Sequence, residues 1–503
     1  MTNPESDHQE NYTKKAVHGV VGVVLALLSV SVLSYFLRLV LAKELSPDEF
    51  GLFYSTLSFM MFMLIFRNFG MTSAITRYVA HYSAEKNYSK MKTMVYSAFL
   101  YQLISSSVII LAFICLSEFL AKHYFRSPEA TWLLIIWAGY IFLSLLCNLV
   151  NSILQGFQET KWYSIEEVVR LGVTVLTFFP LYHLGLGIYA PALAFVIGVT
   201  TSLLVQLFGL YKYRFILAYP LHDFKEASKE LFKFSIPVIF TGISNKIITY
   251  SDVLMLTYFV SLSEVGTYNV VMPTAMFMLF FGGAVSTILY PMSAKMWAAK
   301  QHERLSAAIR LIYSYSFLTQ IPIFFTIFAF ADIFIKYLFG DPYLSGVLAF
   351  QILLVGMFVY TITTNNQTLL SAVGKPIIVT KNVSIAAAIN IVLNIFAIPY
   401  YGILGAAITT MISNLFMFVF STYEVRKIVQ VSSPWNNWGK ILLCGFTFAV
   451  VLLHIKNNPL LANFWMNLVA AFLFGTAIYL FLAYLFGLIN FQEIKKIISL
   501  ARR

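Results

Sequence analysis

Charge is what this sequence most lacks. Asp, Glu, Lys and Arg make up 11 % of its 503 residues, against about 25 % in a soluble domain. With 59 % hydrophobic residues, the chain has too few water-compatible side chains to cover itself. That excludes an ordinary soluble enzyme, a disordered protein and a secreted disulfide scaffold, and it leaves lipid as the solvent. Cysteine is nearly absent: Cys115, Cys147 and Cys444 sit far apart in apolar runs, too few for a disulfide framework or a zinc site. Aspartate is scarce too. The six (Asp7, Asp48, Asp223, Asp252, Asp332, Asp341) are dispersed, so no Asp-x-Asp metal pair of a glycosyltransferase is present. No connector exceeds about 25 residues, which leaves no room for a soluble catalytic domain. There is no phosphate-binding Gly-x-x-x-x-Gly-Lys loop and no His-Glu-x-x-His. The sequence thus calls for no catalytic residue, no metal and no cofactor.

What is there is a series of apolar runs long enough to span a bilayer, each needing roughly 20 residues. Fourteen occur: 17–41, 51–78, 93–117, 131–155, 163–182, 187–211, 232–259, 267–292, 307–331, 344–370, 376–398, 403–422, 439–456 and 462–489. They are too long and too uniformly apolar for barrel strands, so helices are expected. The first run exceeds a signal-peptide core and no small-x-small cleavage site follows it. The net charge of +12 is not a nucleic-acid footprint, because the basic residues lie in connectors rather than on one water-facing domain. With the N-terminus inside, 24 of the 34 Lys and Arg fall in interior connectors, tails and the inner ends of runs. Five fall in outer connectors or at an outer end (Lys43, Lys122, Arg126, Lys336, Lys456) and five deeper within spans (Arg38, Arg67, Arg170, Lys246, Lys381). The positive-inside rule then places both termini in the cytoplasm of a cell (plasma or inner) membrane protein.

The chain also matches itself at a shift of 215. Leu45-Ser46-Pro47-Asp48-Glu49-Phe50-Gly51 lies over Val260-Ser261-Leu262-Ser263-Glu264-Val265-Gly266, Asn151 over Asn366, and Gly187-Ile188 over Gly402-Ile403. One offset superimposes six spans on six. An even number keeps both copies in the same sense, a parallel repeat. The expected fold is an all-α polytopic membrane protein of about 14 helices. It has a tail at 1–16, six-helix lobes at 17–215 and 230–425, a C-terminal helix pair at 435–490, and a basic tail at 491–503. Two matched lobes suit alternating access.

A charge near mid-membrane costs about 2.5–3.5 kcal/mol on insertion scales, so each one is a site hypothesis. Lys246 sits near the middle of the seventh run, too deep to snorkel easily. Ser31, Ser34, Tyr35 and Arg38 share one face of the first helix. Adding 215 gives Lys246, Thr249, Tyr250 and Val253, a matching polar stripe. The simplest geometry has both stripes lining a shared cavity. Arg38 near the outer end, and Arg67 in the inner half of its span, are cavity cations or snorkelling residues. Asp252 lies about 120° around the helix from Lys246 and reads as a partner for a neighbouring helix or as a proton or sodium site. Glu166 and Arg170 are four apart and pair along their helix. Glu166 also maps onto Lys381, so these opposite charges could form a cytoplasmic gate. Intramembrane cations favour an anionic substrate, phosphate above all for Arg.

The segment Leu45–Phe53 resembles the signature after the first helix of polysaccharide and O-antigen flippases of the multidrug/oligosaccharidyl-lipid/polysaccharide exporter superfamily. So do Phe66-Arg67-Asn68-Phe69-Gly70, Tyr290-Pro291-Met292-Ser293 and Tyr401-Gly402-Ile403-Leu404-Gly405. The resemblance implies a flippase that moves a polyprenyl- or dolichyl-phosphate-linked oligosaccharide to the outer leaflet. Arg38, Arg67 and Lys246 would hold its phosphate. A proton or sodium gradient, or the membrane potential, would drive it. Membrane lipids and glycan-assembly proteins are the further partners this implies. The rival readings are a multidrug or organic-ion antiporter of the same superfamily, a membrane glycosyltransferase or polymerase, and a scaffold without transport.

Overall fold

A computed structural model describes residues 25–68, 70–431, 434–458 and 463–489, with the side chains of 236–245, 464 and 465 outside that description. The two tails, residues 17–24 and 462 of the first and last apolar runs, and Phe69 of the 66–70 motif lie outside the described residues. Every described element is helical. The chain divides into two compact units, Met1–Gly266 and Thr267–Arg503.

The first unit contains α1 (Leu25–Glu44), α2 (Pro47–Met63), α3 (Ile65–Asn68), α4 (Met71–Ala84), α5 (Tyr88–Cys115), α6 (Ser117–Leu120), α7 (Glu129–Gly156), α8 (Thr160–Leu181), α9 (Tyr189–Tyr211) and α10 (Phe224–Phe259). Helix α11 (Leu262–Ala275) crosses the division. Helix α7 is the hub, packed on α4, α5, α8 and α9. Its Trp137 is fully buried among Phe53, Tyr140 and Phe195, and the indole N–H donates to Thr56 Oγ1 at 3.1 Å. Large apolar side chains such as Val32, Ile104, Val108 and Leu111 are exposed, as expected of a surface solvated by hydrocarbon.

The second unit contains α12 (Leu279–Ala298), α13 (His302–Ala329), α14 (Ala331–Phe339), α15 (Val347–Ala372), α16 (Pro376–Val429), α17 (Trp435–Asn457) and α18 (Phe464–Leu485). Twelve helices among the described residues are long and apolar enough to cross a membrane. The fourteen runs of the sequence map onto these with two differences. Helix α10, whose residues 236–245 are not fully described, is not among the twelve. The runs 376–398 and 403–422 together form the 54-residue α16.

That long element is a hairpin. Asn382 Nδ2 donates to Met417 O at 3.0 Å, Asn390 to Thr410 Oγ1 at 3.4 Å, and Thr409 donates to Asn394, so the two legs run antiparallel. The turn is made at Gly402, whose φ of 53° and ψ of −130° are closed to side-chain-bearing residues. The α8–α9 pair has the same construction. Thr174 Oγ1 approaches Ala194 O at 3.4 Å across the pair, and Gly187 turns at φ 48°, ψ −127°. Gly187 and Gly402 are the residues that the 215-residue shift superimposes.

The repeated string at 45–53 also has a local cause. Ser46 Oγ accepts from Glu49 N at 3.3 Å, and Glu49 accepts from Ser46 N at 2.9 Å. This is a capping box with Pro47 in the first turn. At the shifted position Ser261 Oγ accepts from Glu264 N at 3.3 Å. The two capped turns meet. A Cβ on Gly51 would lie 1.8 Å from Leu262 O, and one on Gly266 would lie 2.6 Å from Pro47 O. Only bare backbone fits at that contact.

Candidate functional site

A charged cavity of the first unit, about 590 Å³, is walled by α2–α4 and α7–α10. Its construction starts where α2 breaks. The helix ends at Leu64, a short turn carries Ile65–Asn68, and Gly70 in the left-handed region (φ 70°) restarts it as α4. The break turns Arg67 inward, 2 % exposed. Its backbone carbonyl accepts from Ser105 Oγ at 3.1 Å. Its Nε donates to Asn68 Oδ1 at 3.2 Å, and one terminal nitrogen donates to Ile141 O at 3.1 Å and Ser144 Oγ at 2.7 Å. One edge of the guanidinium is thus pinned to α7, while the residue lines the cavity.

Helix α8 supplies a second cation with its counter-charges. Arg170 Nε meets Glu166 Oε1 at 3.2 Å, and Nη2 meets Glu167 Oε1 at 3.1 Å. The Tyr140 hydroxyl stands 3.5 Å from Arg170, and Asn151 Nδ2 donates to Glu166 Oε2 at 3.3 Å. The Cys147 thiol is 3.5 Å from Glu166 Oε1 and 3.3 Å from Gln206 Oε1. The Glu166–Arg170 pair read from the i, i+4 spacing is present, and Glu167 joins it. Lys246 of α10 closes the ring of charges. It is exposed, with its ammonium 5.4 Å from the Tyr250 ring centroid. Neither Arg67 nor Lys246 has an ion-pair partner among the described residues.

The cavity therefore gathers Arg67, Arg170 and Lys246 against Glu166 and Glu167. Three cations against two carboxylates leave the cavity a net charge of +1, and because both carboxylates bond Arg170 the excess lies on the side of Arg67 and Lys246, where it attracts an anion. A smaller cavity of about 250 Å³ shares Thr72, Asn148, Glu166 and Glu167 with the first and adds Asn151, Ser152, Gln155, Tyr163 and Ser164. Its hydroxyls and amides offer donors and acceptors without net charge.

The other sequence-derived residues lie elsewhere. Arg38 stacks its guanidinium 4.3 Å over the Tyr54 ring and does not line this cavity. Ser31, Ser34, Tyr35, Thr249 and Tyr250 do not line it either. Ser31 Oγ donates to Leu27 O at 2.9 Å, back into its own helix. Asp252 is buried at 3 % exposure on α10, and Lys381 is exposed on α16. The sequence reading missed Tyr140, Ser144, Cys147, Asn148 and Glu167. The first four, with Asn151, fall at i, i+4, i+7, i+8 and i+11 on α7, a polar stripe readable by the same periodicity. Among the described residues, no three His, Cys, Asp or Glu gather as metal ligands.

This site can be set beside known proteins. A family model described as "Polysaccharide biosynthesis protein" matches residues 16–297, and one described as MatE matches 237–396. An uncharacterized membrane protein of Methanocaldococcus jannaschii is 27 % identical over 97 % of this chain and 99 % of its own length. A probable low-salt glycan biosynthesis flippase of Haloferax volcanii is 23 % identical over 91 % of this chain and 93 % of its own. The fold is similar to that of a solved structure described as the lipid II flippase MurJ in an inward closed conformation, with a TM-score of 0.73 at 19 % identity over 92 % of this chain and 98 % of the other. A multidrug resistance MATE family transporter of the MOP superfamily is similar at a TM-score of 0.63 and 16 % identity, over 82 % of this chain and all of its own. The first family match spans more than half of the chain and holds the whole charged cavity, and on that ground the chain belongs to the polysaccharide biosynthesis protein family.

Proposed function

We propose that the protein is a flippase that carries a lipid-linked oligosaccharide from the cytoplasmic to the outer leaflet by alternating access, and is not an enzyme. The observation that carries this reading is a cavity of net positive charge, three cations against two carboxylates, in which neither Arg67 nor Lys246 has an ion-pair partner among the described residues. Arg67 keeps one terminal guanidinium nitrogen without a hydrogen bond among the described residues, a charge-assisted donor for a phosphate oxygen. Lys246 supplies a mobile second charge. The adjoining amides and hydroxyls suit the hydroxyl groups of a sugar. The relatives named as flippases and the shared fold support the same class of activity. A carrier of organic cations would need the reverse balance, with Glu166 and Glu167 free of Arg170.

The test is reconstitution in liposomes with a labelled polyprenyl-phosphate-linked oligosaccharide, comparing wild type with Lys246→Ala. Protein-dependent translocation that falls at least tenfold in the variant supports the reading. Efflux of a cationic dye with no movement of lipid-linked sugar overturns it in favour of an antiporter.

A further inference from the structure

A third cavity of the first unit, about 450 Å³, has a different chemistry. It lies where α4, α5, α7 and α9 reach their basic ends, which the positive-inside count places at the cytoplasmic surface. Its walls are Val95 and Phe99 of α5, Leu149 and Ile153 of α7, and Leu207 and Leu210 of α9. Among the described residues no carboxylate lines it, and the charged side chains in its lining are Lys92 and Arg214. Its size is within the usual range of ligand sites, and an apolar cavity of this kind excludes water.

The segment 214–222 straps one side of this cavity. Lys92 Nζ donates to Leu217 O at 2.7 Å and Tyr219 O at 2.6 Å. Ser89 Oγ donates to Pro220 O at 2.7 Å, and His222 N donates to Thr93 Oγ1 at 3.0 Å. The strap is thus tied to the first turns of α5. Phe215 and Tyr219 pack their rings on Tyr88 at 5.2 and 5.3 Å. Leu217, Tyr211 and Tyr96 stay exposed around the mouth. Tyrosines at such a rim mark the headgroup level of a bilayer. Arg214 stacks 4.3 Å over the Tyr211 ring and has no ion-pair partner among the described residues.

We infer that this cavity binds one hydrocarbon chain of an anionic glycerophospholipid from the inner leaflet, with the headgroup phosphate on Arg214. Charge complementarity selects the occupant: the interior takes only hydrocarbon, and the rim carries cations alone. The site is separate from the charged cavity and independent of which solute that cavity carries. The strap runs directly into α10, which bears Lys246. A lipid seated here therefore sets the position of the segment that leads into that helix.

The experiment uses the full chain in phosphatidylcholine vesicles doped with phosphatidylglycerol or phosphatidylcholine carrying a photoactivatable acyl chain. Labelled peptides are mapped in wild type, Ile153→Trp and Arg214→Gln. In wild type the phosphatidylglycerol probe should label the Val95–Phe99 and Leu149–Ile153 segments about fivefold above the phosphatidylcholine probe, the weight of one basic residue at a membrane surface. Arg214→Gln should erase that preference, and Ile153→Trp should remove labelling by both probes. Equal labelling by the two probes in wild type overturns the inference. So does wild-type labelling in an Ile153→Trp protein of native melting behaviour, or displacement of the phosphatidylglycerol probe by a polyprenyl phosphate. If Ile153→Trp fails to fold, the surface variant Arg214→Gln decides alone.

Discussion

Arg67→Met separates folding from function at the charged cavity. The guanidinium is 2 % exposed and makes three hydrogen bonds at 3.2, 3.1 and 2.7 Å. Charge-assisted bonds contribute about 1.5–3 kcal/mol each, which would suggest a large loss of stability. Two effects oppose it. Holding a guanidinium out of water costs several kcal/mol, so replacing a buried ion by an apolar side chain of similar size is often neutral or stabilising. The partners left behind are also not orphaned. Ser144 Oγ already donates to Ile141 O at 3.0 Å, and Asn68 opens on the cavity. The net change in stability should lie within about 1 kcal/mol of zero. Binding should respond differently. Loss of one charge-assisted contact to a phosphate weakens apparent affinity by roughly tenfold to a hundredfold. Arg67→Lys, which keeps the charge but not the fork, should fall between. The measurements are thermal melting of purified protein and initial flipping rate against lipid-linked substrate concentration in liposomes. An Arg67→Met protein several kcal/mol less stable but unchanged in apparent affinity would refute the reasoning and make Arg67 a structural pin.

The remaining predictions concern the scaffold. Gly51→Ala drives a methyl group to 1.8 Å from Leu262 O and should cost about 1–3 kcal/mol in overpacking. Gly139→Ala, with nothing within 4 Å of its Cβ, should gain about 0.5–1 kcal/mol; thermal melts that rank the pair the other way count against the described contact. Ser46→Ala removes the cap of α2 and should cost about 1 kcal/mol, and Ser46→Asp should restore most of it in the same melts. Glu159, in the connector before α8, accepts from Lys212 Nζ at 2.8 Å and Tyr213 OH at 2.6 Å. These bonds hold its carboxyl below the ordinary value of 4.5. A depressed carboxylate stabilises the fold above its unfolded value and loses that contribution as pH falls through the folded one. The difference in melting temperature between wild type and Glu159→Gln should therefore be constant near neutrality and shrink below about pH 4.5.

The fold was legible in the sequence because membrane solvation imposes length. Each apolar run found a helix or one leg of a helical hairpin, and the 215-residue shift landed on equivalent turns at Gly187 and Gly402. The capping box at Ser46 and the side-chain cap at Ser261 explain why that string repeats. The site was less legible. In water, a polar stripe on an otherwise apolar helix marks the outside. In lipid it marks either a cavity or a hydroxyl that satisfies itself, and Ser31 took the second course by bonding Leu27 O. The α7 stripe from Tyr140 to Asn151 has the same periodicity yet reaches the cavity. The difference lies in which neighbours each helix packs against, and periodicity does not encode that. Arg170 shows a related limit. Its spacing from Glu166 signalled a local pair, but that this pair also lines a cavity with Arg67 depends on the break at Leu64 and Gly70, a feature of three-dimensional direction.

The α16 hairpin bears on how such a protein can be made. Its descending leg turns Asn382, Asn390 and Asn394 toward the returning one, where Met417 O, Thr410 and Thr409 receive them. A leg standing alone would hold the Asn382 amide in hydrocarbon without the Met417 carbonyl that receives it in the pair, a cost the second leg removes. Insertion of the two legs as one hairpin, turned at Gly402, avoids that cost.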